Sequence, residues 1–166
     1  YYFWCLLILG RERLLFSYTQ NTRMKVAVCV DDSSPSKRAL EEASEFVEVT
    51  GGELVLVHSV QESVQSSRDE LIQEGDGEAI NKAEALLEEM KEDLKEINGD
   101  ATVDTEILYS DNGKVEDVLS YLDEDKIDYV FIGHRALDKR KEELFGSFAK
   151  DMVSKSSIPV TVVSNN

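Results

Sequence analysis

Between Met24 and Val163 the hydrophobic positions alternate between two patterns: short continuous apolar runs, and longer stretches with an apolar residue every three or four positions. The first run, Val26 to Val30, has the unbroken character of a strand buried on both faces. Asp31-Asp32-Ser33-Ser34-Pro35 then turns the chain, with Ser34 predicted as helix cap and Pro35 at the first helical position. Ala39, Leu40, Ala43, Phe46 and Val47 form one apolar stripe, which Gly51-Gly52 closes. Leu54 to Val57 reads as a second buried strand. A strand-helix-strand unit of this kind is a right-handed crossover, so the two strands are parallel.

Residues 61–77 are rich in Gln, Ser, Glu, Asp and Gly without periodicity and read as a surface excursion. Ala79, Ala83, Leu86, Leu87, Met90, Leu94 and Ile97 predict a long amphipathic helix that stops near Asn98-Gly99. Val103, Thr105, Ile107 and Tyr109 alternate with Thr102, Asp104, Glu106 and Leu108, read as the half-exposed pattern of an edge strand. A third helix, capped by Asp111 or Asn112 with Val115, Val118, Leu119 and Leu122 inward, leads to the run Tyr129-Val130-Phe131-Ile132. A fourth helix opens at Gly146-Ser147 and turns Phe148, Ala149, Met152 and Val153 inward, and a last strand covers Pro159 to Val163. Strict alternation of five strands with four helices predicts an α/β fold: an open, doubly wound, five-stranded parallel sheet with helices on both faces.

In such a sheet ligands lie beyond the carboxyl ends of the strands, where the strand order reverses, expected here between the first strand and the Tyr129 strand. Asp31 ends the first of these strands. Gly133 and His134 end the other, and the chain returns from it at Gly146-Ser147 on a helix N-terminus. Free backbone N–H groups and the helix dipole attract phosphate there, and a carboxylate opposite them suits ribose hydroxyls.

Composition narrows the choice of ligand. The chain has 166 residues, 42% hydrophobic, and a formal net charge of −16, of which residues 1–23 carry +2 and the remainder −18. So acidic a body repels nucleic acid and anionic lipid, so an anion must be held by local geometry. Cys5 and Cys29 stand in unrelated contexts, which points to a reduced, cytoplasmic setting. Tyr1 to Leu9 is apolar but too short to span a bilayer and lacks the flanks of a secretory signal. Residues 1–23 therefore read as a non-domain extension of upstream or expression-derived sequence, in preference to a membrane-surface anchor, and residues 24–166 as one domain starting at Met24.

Gly133, two residues, Ala136, nine residues and Gly146-Ser147 resemble the Gly-x2-Gly-x9-Gly-Ser/Thr nucleotide motif of the universal stress protein family. Val30-Asp31-Asp32-Ser33, Leu54 to His58 and Ile158-Pro159-Val160-Thr161-Val162-Val163 look like that family too, so the resemblance spans nearly all of residues 24–166. It implies an adenine nucleotide alpha hydrolase-like sheet in the order 3-2-1-4-5, a homodimer through the last strand, Pro159 to Val163, and, in the nucleotide-binding branch, ATP with or without Mg2+. Transferred by position, Asp31 meets the ribose, the backbone near Leu54 and Ile132 the adenine, and Gly133, Ala136, Gly146 and Ser147 the phosphates. Val30, His134, Arg135 and Phe148 flank them.

Two positions depart from the pattern. Ala136 stands where the motif has its second glycine, and a Cβ there costs about 1 kcal/mol if the backbone needs positive φ. Ala149 replaces a second hydroxyl. Arg135, Lys139, Arg140 and Lys141 make the intervening loop locally basic, either facing the ligand or balancing Asp138, Glu142 and Glu143 in solvent. His134, a lone loop histidine, reads as a surface residue or at most a ligand contact, and His58 as structural. No Gly-x4-Gly-Lys-Ser/Thr loop, nucleophile elbow or metal-ligand spacing is present in the sequence. The expectation is an ATP-binding regulatory module in stress response, acting through its dimer or a partner surface. The alternative is a dimerising scaffold of the same fold with a decayed site; a slow ATPase ranks third.

Overall fold

The computed structural model describes residues 23–61, 76–97, 103–110, 114–134 and 146–164. Strands β1 (Lys25–Cys29), β2 (Glu53–Gln61), β3 (Val103–Ser110), β4 (Tyr129–His134) and β5 (Val160–Ser164) alternate with helices α1 (Ser34–Thr50), α2 (Asp76–Ile97), α3 (Lys114–Glu124) and α4 (Ser147–Lys155). All four strand pairings are parallel, and the order is β3-β2-β1-β4-β5, as the alternation and the resemblance implied.

Each face of the sheet carries its own core. Val26, Val28, Leu54, Leu56 and Phe131 point to α1 and α2, where Ala39, Leu40, Ala43, Leu87, Met90 and Leu94 cover them. Ala27, Val55, Val57, Val130 and Ile132 point to α3 and α4, against Val115, Val118, Leu122, Ala149 and Met152. Because strand side chains alternate between faces, an unbroken apolar run is what a central strand between two helical layers requires. Phe46, Tyr129 and Phe131 add a tilted aromatic trio with ring centroids 5.1–5.6 Å apart.

Several boundaries differ from the sequence expectation. The cap of α1 is Ser33, whose side chain accepts from Ser36 N, and Gly51 closes the helix at φ 70°, where other residues are strained. β2 runs four residues past Val57 because β3 pairs with it as far as Gln61 opposite Ser110. β4 continues through Gly133 and His134 because β5 offers Val163 and Ser164 as partners. Val153, expected inward, is 53% exposed; the core face of α4 is Ala149 and Met152. The expectation for residues 1–22 lies outside the described residues.

Candidate functional site

The strand order reverses between β1 and β4, and three contacts tie the ends of those strands together. At Gly133 a Cβ would sit 2.5 Å from the carbonyl carbon of Pro35 and 2.6 Å from Ser36 N, so β4 abuts the backbone of the first turn of α1. The backbone of α1 is therefore sufficient by itself to require glycine at 133. Ser36, 2% exposed, accepts the Asp31 amide hydrogen at 2.9 Å. On the far side, Gly146 N donates to His134 Nδ1 at 3.4 Å. Asp31, Ser36, Gly133, His134 and Gly146 therefore form a connected path between segments about a hundred residues apart in sequence.

Asp31 is exposed, and its Oδ1 accepts from both the amide and the hydroxyl of Ser33. This Asx-type turn orients the carboxylate from within the β1–α1 connection. The preceding carbonyl is held as well: His58 Nδ1 lies 2.8 Å from Val30 O, and since a carbonyl only accepts, Nδ1 carries the proton. Val30 itself is buried and continues the ladder to Val57 O.

Helix α4 starts at Gly146, which caps it with extended backbone and without a side-chain hydrogen bond, and its first turn holds no acidic residue. Ser147, Phe148 and Ala149 have no intrahelical acceptor for their N–H groups, so the positive end of the dipole is left for an anion. Ser147 is exposed, and the space a Cβ would take at Gly146 has no neighbour nearer than His134 Nδ1 at 4.0 Å. Only the backbone of Phe148 serves this end, because its ring packs into the α3–α4 core.

Two sequence expectations change. Leu54 is paired with Val26 and Val103 at the opposite end of the sheet and is 1% exposed, so its backbone is consumed by the ladder and takes no part in the site. The β1–β2 ladder ends at Cys29↔Val57, with one further bond from Val30 N to Val57 O, before the chain turns away at Asp31. His134 is not a surface loop residue but a buried strand end, 7% exposed, that clasps Gly146. Ile132 is fully buried one step behind it, paired with Cys29. Arg135, Ala136 and the basic residues up to Lys141 lie outside the described residues. Ser36 and His58 did not stand out as site residues in the sequence; the position of Ser36 one turn into a capped helix was the one available signal.

Among the described residues no three His, Cys, Asp or Glu side chains are grouped to hold a metal ion, and no helix is long and apolar enough to cross a membrane.

The family model for the universal stress protein family matches residues 22–164. Universal stress protein YxiE of Bacillus subtilis is 24% identical over 148 residues, which cover 84% of this chain and 97% of that protein. The universal stress protein of Archaeoglobus fulgidus in complex with dAMP superposes with a TM-score of 0.65 at 22% identity, over 86% of this chain and 98% of the other. A universal stress protein family protein from Arabidopsis thaliana with AMP bound gives 0.62 at 22% identity, over 86% and 92%.

Proposed function

The chain belongs to the universal stress protein family, and from that premise we propose that it is an ATP-binding regulatory protein of the stress response, acting in the cytoplasm. The observation that carries this reading is the pairing of an exposed carboxylate, Asp31, with an uncapped helix start, Gly146-Ser147, across the point of strand reversal. Asp31 accepts from the ribose hydroxyls through the oxygen that Ser33 does not occupy. The α4 amides and the Ser147 hydroxyl take the phosphates. Mg2+ arrives on the polyphosphate, since no carboxylate cluster among the described residues offers it a protein site. The solved relatives carrying dAMP and AMP support an adenine nucleotide as the class.

With Asp31 committed to the ribose, occupancy and not turnover is the signal, and hydrolysis is slow at most. The signal leaves through a homodimer. Among the described strands β5 pairs only with β4, so its other edge is the one offered to a second copy. One observation favours the scaffold reading instead: Gly146 N is already engaged by His134. Chromatography of small molecules released by heating the purified protein, with a thermal scan in added ATP, separates the two. ATP binding stabilises the wild type by about 2.7 kcal/mol at a hundredfold excess over Kd, and Asp31→Ala loses most of that gain. A protein that releases no adenine nucleotide and gains no stability from ATP is the scaffold.

A further inference from the structure

The side chain that clasps the start of α4 is titratable. Gly146 N donates to His134 Nδ1, and a ring nitrogen that accepts carries no proton, so this imidazole is the neutral tautomer with its hydrogen on Nε2. The strand sets the ring in place: β5 offers Ser164 opposite His134, and Val130 and Ile132, in step with it, face α3 and α4. At 3.4 Å the contact is long for a hydrogen bond, so releasing it costs little. The first intrahelical bond of α4 runs from Lys150 N to Gly146 O, which leaves the amides of Gly146, Ser147, Phe148 and Ala149 without a helical acceptor. In the neutral state His134 takes one of these four away from an anion and turns a lone pair, not a hydrogen, toward the helix start.

Protonation reverses both effects. An imidazolium donates from both nitrogens and accepts from neither, so Gly146 N is released to the anion and a positive charge is added beside it. The charged groups on the surrounding elements leave that charge for an incoming anion. β5 carries none, and the first turn of α4 holds no acidic residue, with Lys150 and Asp151 following it. The turn after β1 brings Asp31, already accepting from Ser33, and Asp32. α3, on the same side of the sheet, brings Asp117 and Glu116, the latter paired with Lys155, while α1 carries its charges on the opposite side. Resting on the nucleotide reading above, we infer that His134 is a proton-operated clasp on the site, so that nucleotide binding takes up a proton and acidification tightens it. Because the bound state favours the protonated ring, affinity rises as pH falls through the neutral range where histidine titrates, and it weakens as pH rises. By linkage the nucleotide in turn holds the proton on His134. The engagement of Gly146 N is then a property of one protonation state and no obstacle to binding.

Calorimetric titration of the full chain and of His134→Gln with ATP, in buffers of different ionisation enthalpy, counts the protons taken up on binding. Glutamine keeps an acceptor for Gly146 N and cannot be protonated, and the protonation of ATP itself is common to both proteins and cancels. The wild type takes up more protons than the variant near neutral pH. From about pH 8 to about pH 6 its affinity rises about tenfold more, the difference between a charged and a neutral hydrogen bond. Should the variant not fold, carbon-13 spectra of the two histidine rings of the wild type read the same event: at neutral pH, added ATP moves the His134 signal to the imidazolium position. Equal proton uptake in the two proteins, or a His134 ring that keeps its neutral signal in bound protein, overturns the clasp and leaves the nucleotide reading standing. A wild type that binds no ATP anywhere in this pH range overturns both readings.

Discussion

Gly133 and Pro35 meet backbone to backbone: a methyl group at 133 would lie 2.5 Å from the Pro35 carbonyl carbon, closer than nonbonded carbons come. This contact seats the end of β4 on the start of α1 and so sets the separation of the two walls of the crevice. Neither partner is the flexible tip of a side chain, so the structure has no cheap way to yield.

Gly133→Ala consequently destabilises the fold. The expected loss is about 1–3 kcal/mol from overpacking, seen as a lower urea midpoint with an unchanged slope. An alanine variant as stable as wild type would mean that the two segments are not in contact in solution.

Most of the architecture could be read from the chain because nearly every cue was local. Val26 to Val30 and Tyr129 to Ile132 are apolar without a break because both sheet faces there are covered; β3 is the edge strand expected, but its burial does not alternate, since Ile107 and Leu108 pack on opposite faces and Tyr109 is exposed. The site was less legible. Asp31 and Gly146 announce themselves as a strand end and a helix start, but the role of Gly133 depends on which helix backbone passes it, a long-range fact with no local mark. Leu54 was misplaced for a related reason: a continuous apolar run fixes a strand but not which of its ends faces the ligand, and the four further residues of β2 are held by β3 rather than by their own hydrophobicity. The burial of His134 likewise follows from β5 extending the ladder, which a lone histidine after a glycine does not signal.

At the opposite end of the sheet, Asp125 Oδ2 accepts from Lys25 Nζ and, at 3.2 Å, from the Tyr121 hydroxyl. The Lys25 ammonium holds the Asp125 carboxyl below the usual carboxylate range, with burial partly opposing it. A carboxyl with a depressed folded value adds stability that is complete above the unfolded range and is lost as pH falls through the folded one. Asp125→Asn therefore costs about 0.5–1 kcal/mol near neutral pH, a modest figure because the pair is partly solvated. The gap between variant and wild type closes as pH falls below about 4. Urea titrations of both proteins across the acid range measure it, and a gap independent of pH would dismiss the ion pair.

Cys29 ends β1 among the residues packed against the α3–α4 core, and burial pushes its thiol up to about 12. Thiolate is the reactive form, so in the folded protein this residue resists iodoacetamide at mildly alkaline pH and is alkylated once urea unfolds the chain. Mass spectrometry of the Cys29 peptide reads this directly. Rapid labelling without denaturant would show that the end of β1 opens freely, which the ladder from Val30 N to Val57 O argues against.

The claim on which the functional account rests is that the start of α4 receives phosphate, and Gly146→Asp addresses it with stability and binding moving in different directions. A Cβ fits at 146, and aspartate is a better helix cap than glycine by a few tenths of a kcal/mol, so the variant is expected to melt at or slightly above the wild-type temperature. The same carboxylate stands where the phosphates would lie and repels them. ATP titration of the two proteins by calorimetry is predicted to give binding for the wild type and none for Gly146→Asp at equal concentration; equal affinity in both would contradict the account.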